Sequence, residues 1–310
     1  MAKRKRKLRK SVKVTLLLVL LLFCILSITQ FMKSNDSDRF VAPKEYDIVE
    51  STINDDIIAL TNSNPNLVFR DYIINGIPVL DIYKDDGSTK PVIFFTHGLG
   101  GYKEGVAYIL TLFANNGYRA IGIDALSHGE REEKESMFFE IVDQTANDLA
   151  LVVDYYIKNN VIIDNNYAVS GLSMGGMISY VFATKDDFNP KMVVGISTCG
   201  NFDLFWDSYL SYTKVNNGID SVDETIQIED MKIADKINPS KKINKFINKK
   251  VLIYHSLDDG LIEYDKELDF YNKLYDNGID VEMVSYDGYG HSVPKEFLDV
   301  MLNKIDEVLK

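Results

Sequence analysis

From residue 66 onward the chain alternates short apolar runs with longer stretches of helical spacing. Residues 66–74 and 77–83 flank Asn75-Gly76, a dipeptide suited to a two-residue hairpin turn. Residues 91–96 form a short, wholly apolar run, the signature of a strand buried on both faces. A helix is predicted near 103–116, a strand at 119–124 and a helix near 138–159. A strand at 167–171 leads into a helix at 173–184, and 191–198 is a further apolar strand. Strands at 251–255 and 281–286 enclose a helix at 264–277. The last helix, 294–309, carries Phe297, Val300, Met301, Ile305 and Val308 at helical spacing. Strand alternating with helix predicts an α/β protein with a mostly parallel central sheet covered by helices on both faces.

Two regions break the alternation. Residues 200–247 are too long for a plain crossover between two strands. They read as an inserted cap of short helices. Within it Phe202, Phe205, Trp206 and Tyr209 share one helical face. These four either pack the cap onto the domain or line a substrate pocket. The acidic stretch 220–230 follows them.

The other region is N-terminal. Residues 14–32 carry no charge, and a 19-residue helix spans about 28 Å, close to a hydrocarbon core of about 30 Å. The first 13 residues hold eight basic side chains and no acidic one. By the positive-inside rule that stub is cytoplasmic, and everything after Lys33 lies outside the cytoplasm. Ser27-Ile28-Thr29-Gln30-Phe31-Met32 offers no small-x-small cleavage site, so an uncleaved single-pass anchor is expected rather than a signal peptide. The expected organisation is a basic stub (1–13), a transmembrane helix (14–32), a tether (33–50) and an α/β domain (51–310) that carries the insertion 200–247.

Composition adds little to the fold but much to the partners. Hydrophobic residues at 46% and charged residues at 26% describe a globular chain and exclude disorder. The net charge of −12 is an average. Without the basic stub, 26 basic face 46 acidic groups, a charge of −20, which argues against nucleic acid as a partner. The two cysteines, Cys24 and Cys199, fall in different regions and cannot staple one domain.

The candidate chemistry begins at Gly171-Leu172-Ser173-Met174-Gly175-Gly176. A strand precedes this run and a helix follows it. A serine on so sharp a turn holds its hydroxyl clear of the backbone, beside the N–H groups of a helix start. Serine is a poor nucleophile without a base. The chain has four histidines: His97, His128, His255 and His291. His291, in the glycine-containing loop 288–292 after the last predicted strand, can reach over the serine and is the expected base. His97 opens a glycine-rich loop better suited to offering backbone N–H groups. His255 ends an apolar strand, and His128 sits in a turn. The carboxylate that fixes the base comes from Asp258 or Asp259, after the strand 251–255.

Residues 66–310 thereby resemble the α/β-hydrolase superfamily. The likeness rests on His97-Gly98-Leu99-Gly100-Gly101, on Asp124 with His128-Gly129, on the elbow around Ser173, on residues 254–262 and on Gly288-Tyr289-Gly290-His291. The order Ser, Asp, His is that of the superfamily, with spacings of 86 and 32 residues. Its strand-end pattern, laid on residues 255–262, selects Asp259. The resemblance implies an oxyanion hole from the backbone N–H groups of Leu99 and Met174. It also implies no metal and no organic cofactor.

The expected activity is that of a membrane-anchored, extracytoplasmic serine hydrolase. It would cleave a small-molecule ester or acyl substrate through an acyl-enzyme, most like bacterial esterases. Alternatives on the same triad are a serine aminopeptidase and a lipid or thioester hydrolase. A catalytically silent binding module on the same fold is the alternative from another class. Oligomeric state is not legible in the sequence.

Overall fold

The computed structural model describes residues 39–51, 55–131, 136–206 and 224–310. The basic stub, the span 14–32 and the first part of the tether lie outside them. Among the described residues no helix is long and apolar enough to cross a membrane.

Among the described residues nine strands form one sheet: β1 (Ile48–Glu50), β2 (Val68–Ile74), β3 (Ile77–Tyr83), β4 (Val92–Thr96), β5 (Arg119–Ile123), β6 (Tyr167–Leu172), β7 (Met192–Ile196), β8 (Lys250–Ser256) and β9 (Val281–Tyr286). Their spatial order is β1-β2-β3-β5-β4-β6-β7-β8-β9. The first three strands pair antiparallel, and β3 joins β5 antiparallel. Every pairing from β5 to β9 is parallel. The β2–β3 hairpin turns on Asn75 and Gly76, both at positive φ, as a primed two-residue turn requires.

The helices are α1 (Asp55–Ser63), α2 (Ala107–Asn115), α3 (Phe138–Lys158), α4 (Met174–Ala183), α5 (Glu224–Ile237), α6 (Tyr264–Asp276) and α7 (Lys295–Leu309). Alternation along each strand sorts them to the two faces. Ile93 and Phe95 of β4, with Met192, Val194 and Ile196 of β7, share a core with Ile57 of α1, Phe113 of α2 and Ile305 of α7. The opposite face takes α3, where Tyr156 meets Phe94 edge-on at 5.8 Å. It also takes α4 and α6, whose Tyr180 and Phe270 rings lie 5.0 Å apart.

The sequence-derived elements recur with ends shifted by a residue or two. The helix expected near 103–116 opens as a tight turn, Glu104–Val106, before α2 begins. Two elements went unforeseen. Within the segment read as a tether, β1 pairs with β2, and the Tyr46 hydroxyl donates to Asp154 of α3. Three residues are too few to display a period of two. The other is α1, whose apolar and polar positions separate only weakly.

Between β7 and β8 every described regular element is helical. Residues 202–206 form a helical turn, α5 follows, and two short 3₁₀ turns span Pro239–Lys241 and Ile243–Phe246.

The chain leaves β4 toward β5 on one side and returns to β6 on the other. That reversal opens a crevice at the carboxyl ends of β4 and β6, where ligands of open α/β sheets bind.

Candidate active site

Ser173 stands at that crevice, between β6 and α4, with φ 56° and ψ −119°. A non-glycine residue in this region is strained and persists only where its surroundings hold it. Here they do. The Ser173 N–H donates to the Ile196 carbonyl (2.8 Å), and the Thr198 hydroxyl donates to the Ser173 carbonyl (2.8 Å). The tight passage needs glycine on either side. A Cβ on Gly171 would lie 2.3 Å from the backbone of Gly175, and one on Gly175 would lie 2.0 Å from the Thr96 oxygen. Met174 is the first residue of α4, so its N–H has no acceptor within the helix.

The loop after β4 lies against this turn. A Cβ on Gly98 would be 3.4 Å from the Cβ of Ser173. His97 holds the loop as a neutral ring. Burial drives its pKa down to about 4. One ring nitrogen, Nδ1, pairs with the Gly98 carbonyl (2.8 Å), and Nε2 accepts the Ala125 N–H (3.1 Å). That arrangement bridges the loops after β4 and β5. His128 pairs with the Leu126 carbonyl through Nδ1 (2.8 Å) and lies beside the His97 ring at 5.3 Å.

His291 Nδ1 is 2.8 Å from Asp259 Oδ2. The other oxygen of Asp259 accepts the N–H groups of Leu261 and Ile262, both at 3.0 Å. Burial works to raise the Asp259 pKa. The His291 contact and the two N–H groups outweigh it and hold the carboxyl below its ordinary range, so the group is ionised. Asp258, next along, is exposed. Its Oδ1 accepts from the Ser256 hydroxyl and from the N–H groups of Gly288 (3.1 Å), Tyr289 (3.3 Å) and Gly290 (3.1 Å). The Tyr286 hydroxyl donates to the Ser292 carbonyl (2.8 Å). The His291 loop is thus pinned on both sides of the ring. His255 is fully buried, with Nε2 on the Ile262 carbonyl (2.8 Å), and burial lowers its pKa.

Ser173 and His291 line one cleft of about 200 Å³, with Gly98, Leu99, Phe138, Leu172, Met177, Phe205, Leu261 and Ile262. Apart from the serine and the histidine, the walls are apolar. Of Phe202, Phe205, Trp206 and Tyr209, Phe205 is in the wall. Phe202 and Trp206 are buried, with their rings 4.9 and 5.9 Å from Phe139 of α3. Their helical spacing with Phe205 reflected packing onto α3. Tyr209 lies outside the described residues.

Two supporting residues carried no recognisable signal in the sequence. Lys103 is completely buried, and its Nζ contacts Glu104 (2.7 Å), Glu130 and Asp71 (3.5 Å). Those three carboxylates are close enough together to hold a cation, and the lysine ammonium supplies one. The Lys103 N–H and the Glu130 N–H both donate to Asp124, at 2.7 and 3.0 Å. This ties the end of the His97 loop to the loop after β5. The second is Asp230 of α5, buried against the first turn of α3, where it accepts the Phe139 N–H (2.8 Å).

The sheet order and the elbow at its switch point are those of an α/β-hydrolase, and comparison with known proteins narrows the class. The chain belongs to the prolyl oligopeptidase family, whose model matches residues 106–303, and it is a serine hydrolase of the α/β-hydrolase superfamily. It is 25% identical to the putative esterase YitV of Bacillus subtilis over 237 residues, covering 72% of this chain and 91% of the relative. It is 23% identical to esterase YjfP of Escherichia coli over 241 residues, covering 72% and 92%. Among solved structures, the acetyl xylan esterase from Paenibacillus sp. R4 superposes with a TM-score of 0.68 at 18% identity, covering 90% of this chain and 94% of that one.

Proposed function

We propose that the protein is a carboxylesterase that works through an acyl-enzyme on Ser173, with His291 as base and Asp259 as its orienting carboxylate. The observation that carries this reading is the His291–Asp259 contact beside a strained serine in one cleft. With Nδ1 committed to Asp259, the imidazole presents Nε2 to the cleft. Nε2 takes the Ser173 proton as Oγ attacks the substrate carbonyl. Asp259, ionised and buried, stabilises the imidazolium that forms. The N–H groups of Met174 and Leu99 receive the oxyanion, each contributing about 3 kcal/mol to lowering the barrier. His291 then protonates the leaving alcohol, and water attacks the acyl-enzyme by the same route in reverse.

The apolar walls suit an uncharged acyl group better than the free amine of an aminopeptidase substrate, which an acidic side chain would have to hold. The test is a parallel hydrolysis screen of p-nitrophenyl esters and aminoacyl p-nitroanilides. Ester turnover lost in Ser173→Ala supports the proposal. Turnover of the anilides alone would transfer it to peptidase chemistry.

The location of the enzyme rests on the sequence. Residues 14–32 anchor the chain, with the basic stub inside the cell and the catalytic domain outside. Protease added to intact cells should remove the domain, and full protection would reverse the topology.

A further inference from the structure

The insertion between β7 and β8 touches the first turn of α3 twice, through two separate pieces. Helix α3 begins at Phe138 after Met137, which has no side-chain oxygen to cap the helix. Its first N–H groups therefore need an acceptor from elsewhere. Asp230 of α5 supplies it, more than 90 residues away in sequence. Its Oδ1 accepts the Phe139 N–H at 2.8 Å, and the N–H groups of Glu140 and Phe138 also bond to this carboxylate. Asp230 is 3% exposed. A buried carboxylate at a helix N-terminus is held by both hydrogen bonds and the helix dipole.

The other piece is the turn 202–206. Its Phe205 ring stacks on Phe138 at 5.4 Å and 28°, while Phe202 and Trp206 pack on Phe139. Among the described residues, Phe138 and Phe205 are the phenylalanines in the cleft wall. One side of the substrate cleft is therefore made where the insertion meets α3. The cleft volume of about 200 Å³ lies below the roughly 300–1,000 Å³ of ordinary small-molecule sites.

We propose that the Phe138–Phe205 pair limits the acyl chain the enzyme accepts, and that Asp230 is the positioning residue that seats this wall. The inference rests on the esterase reading of the same cleft. Asp230 touches no substrate. It fixes the backbone from which Phe138 projects, and it joins α5 to the first turn of α3.

The test measures kcat/KM for p-nitrophenyl acetate, butyrate and octanoate in wild type and in Phe205→Ala, Asp230→Ala and Asp230→Asn. Labelling by a fluorophosphonate probe, checked against Ser173→Ala, reports separately whether the active serine is intact. Phe205→Ala should raise the octanoate-to-acetate ratio by at least about tenfold, since one methylene in an apolar pocket changes discrimination by about that factor. Asp230→Ala should move the ratio in the same direction by about fivefold or more, on the same scale. Asp230→Asn keeps an acceptor oxygen suited to a helix start, and should stay near wild type. If Phe205→Ala labels normally but leaves the ratio unchanged, the pair is not the limit. If Asp230→Ala labels normally with a wild-type ratio, or only lowers turnover equally for all esters, Asp230 is merely structural and the positioning claim fails. Loss of probe labelling in wild type would instead sink the esterase reading on which the proposal stands.

Discussion

Asp258 and Asp259 are neighbours in the chain with different partners. Buried Asp259 pairs with the His291 ring, and exposed Asp258 accepts three N–H groups of the histidine loop. In the proposed mechanism, replacing Asp259 by Asn removes the charge that stabilises the imidazolium and leaves the wrong tautomer favoured. It should lower kcat by about 10³- to 10⁴-fold with little change in KM. Asp258→Asn keeps an acceptor for the loop and should cost less than about tenfold. Steady-state kinetics of the two variants decide between them, and the reverse ranking would exchange the roles. The sequence narrowed the acid to this pair but could not separate the two by chemistry, because both are aspartates in one strand-end loop. The superfamily's strand-end pattern selects Asp259, and in the fold Asp259 is buried while Asp258 is exposed. Lys103 and Asp230 were harder still: each acts on a partner brought near by the fold, and neither sits in a local pattern.

At the scale of elements, the strand–turn–helix around Ser173 was legible because its requirements are local. Glycines at 171 and 175, an apolar strand before and a helical run after declare the turn wherever it falls. The structure adds what each glycine clears. A methyl group on Gly175 would collide with the Thr96 carbonyl of β4, so the turn must pass within contact of the neighbouring strand. Gly175→Ala should destabilise the fold by about 3 kcal/mol, the upper end for overpacking. It should also lose activity out of proportion to stability. Urea denaturation beside kinetics reads both, and a stable, active Gly175→Ala protein would show that the close approach is not needed. The insertion was legible only as an interruption. Its aromatic spacing announced a helical face without saying what that face meets. Three of the four residues are described, and only Phe205 reaches the cleft.

Across the whole molecule, the mostly parallel sheet followed from alternation, but its order did not. Position β4 beside both β5 and β6 is a long-range pairing, and that pairing places the His97 loop against the Ser173 elbow. Buried acids give the molecule a global pH response. Glu267 of α6 is fully buried, and burial pushes its pKa from 4.5 up to about 8, against hydrogen bonds from the Tyr180 hydroxyl and the Gly200 N–H. A folded-state value above the unfolded one means the folded chain holds the extra proton between those limits. The stability linked to Glu267 is complete below about pH 4.5 and is lost as pH rises through about 8. Asp71 and Asp230, both pushed up to about 6 by burial, act with the same sign over a lower range. Thermal unfolding between pH 5 and 9 should show stability falling as pH rises, and Glu267→Gln should flatten that slope. Equal slopes in the two proteins would exclude Glu267 as the source.

The central claim is that Ser173 is a nucleophile activated by His291. Intact-mass and peptide-mapping analysis after exposure to a fluorophosphonate probe tests it most directly. One adduct per chain is predicted, on Ser173, absent from Ser173→Ala and strongly slowed in His291→Asn. An adduct of equal extent in wild type and Ser173→Ala, or none on Ser173 in the wild type, would contradict it.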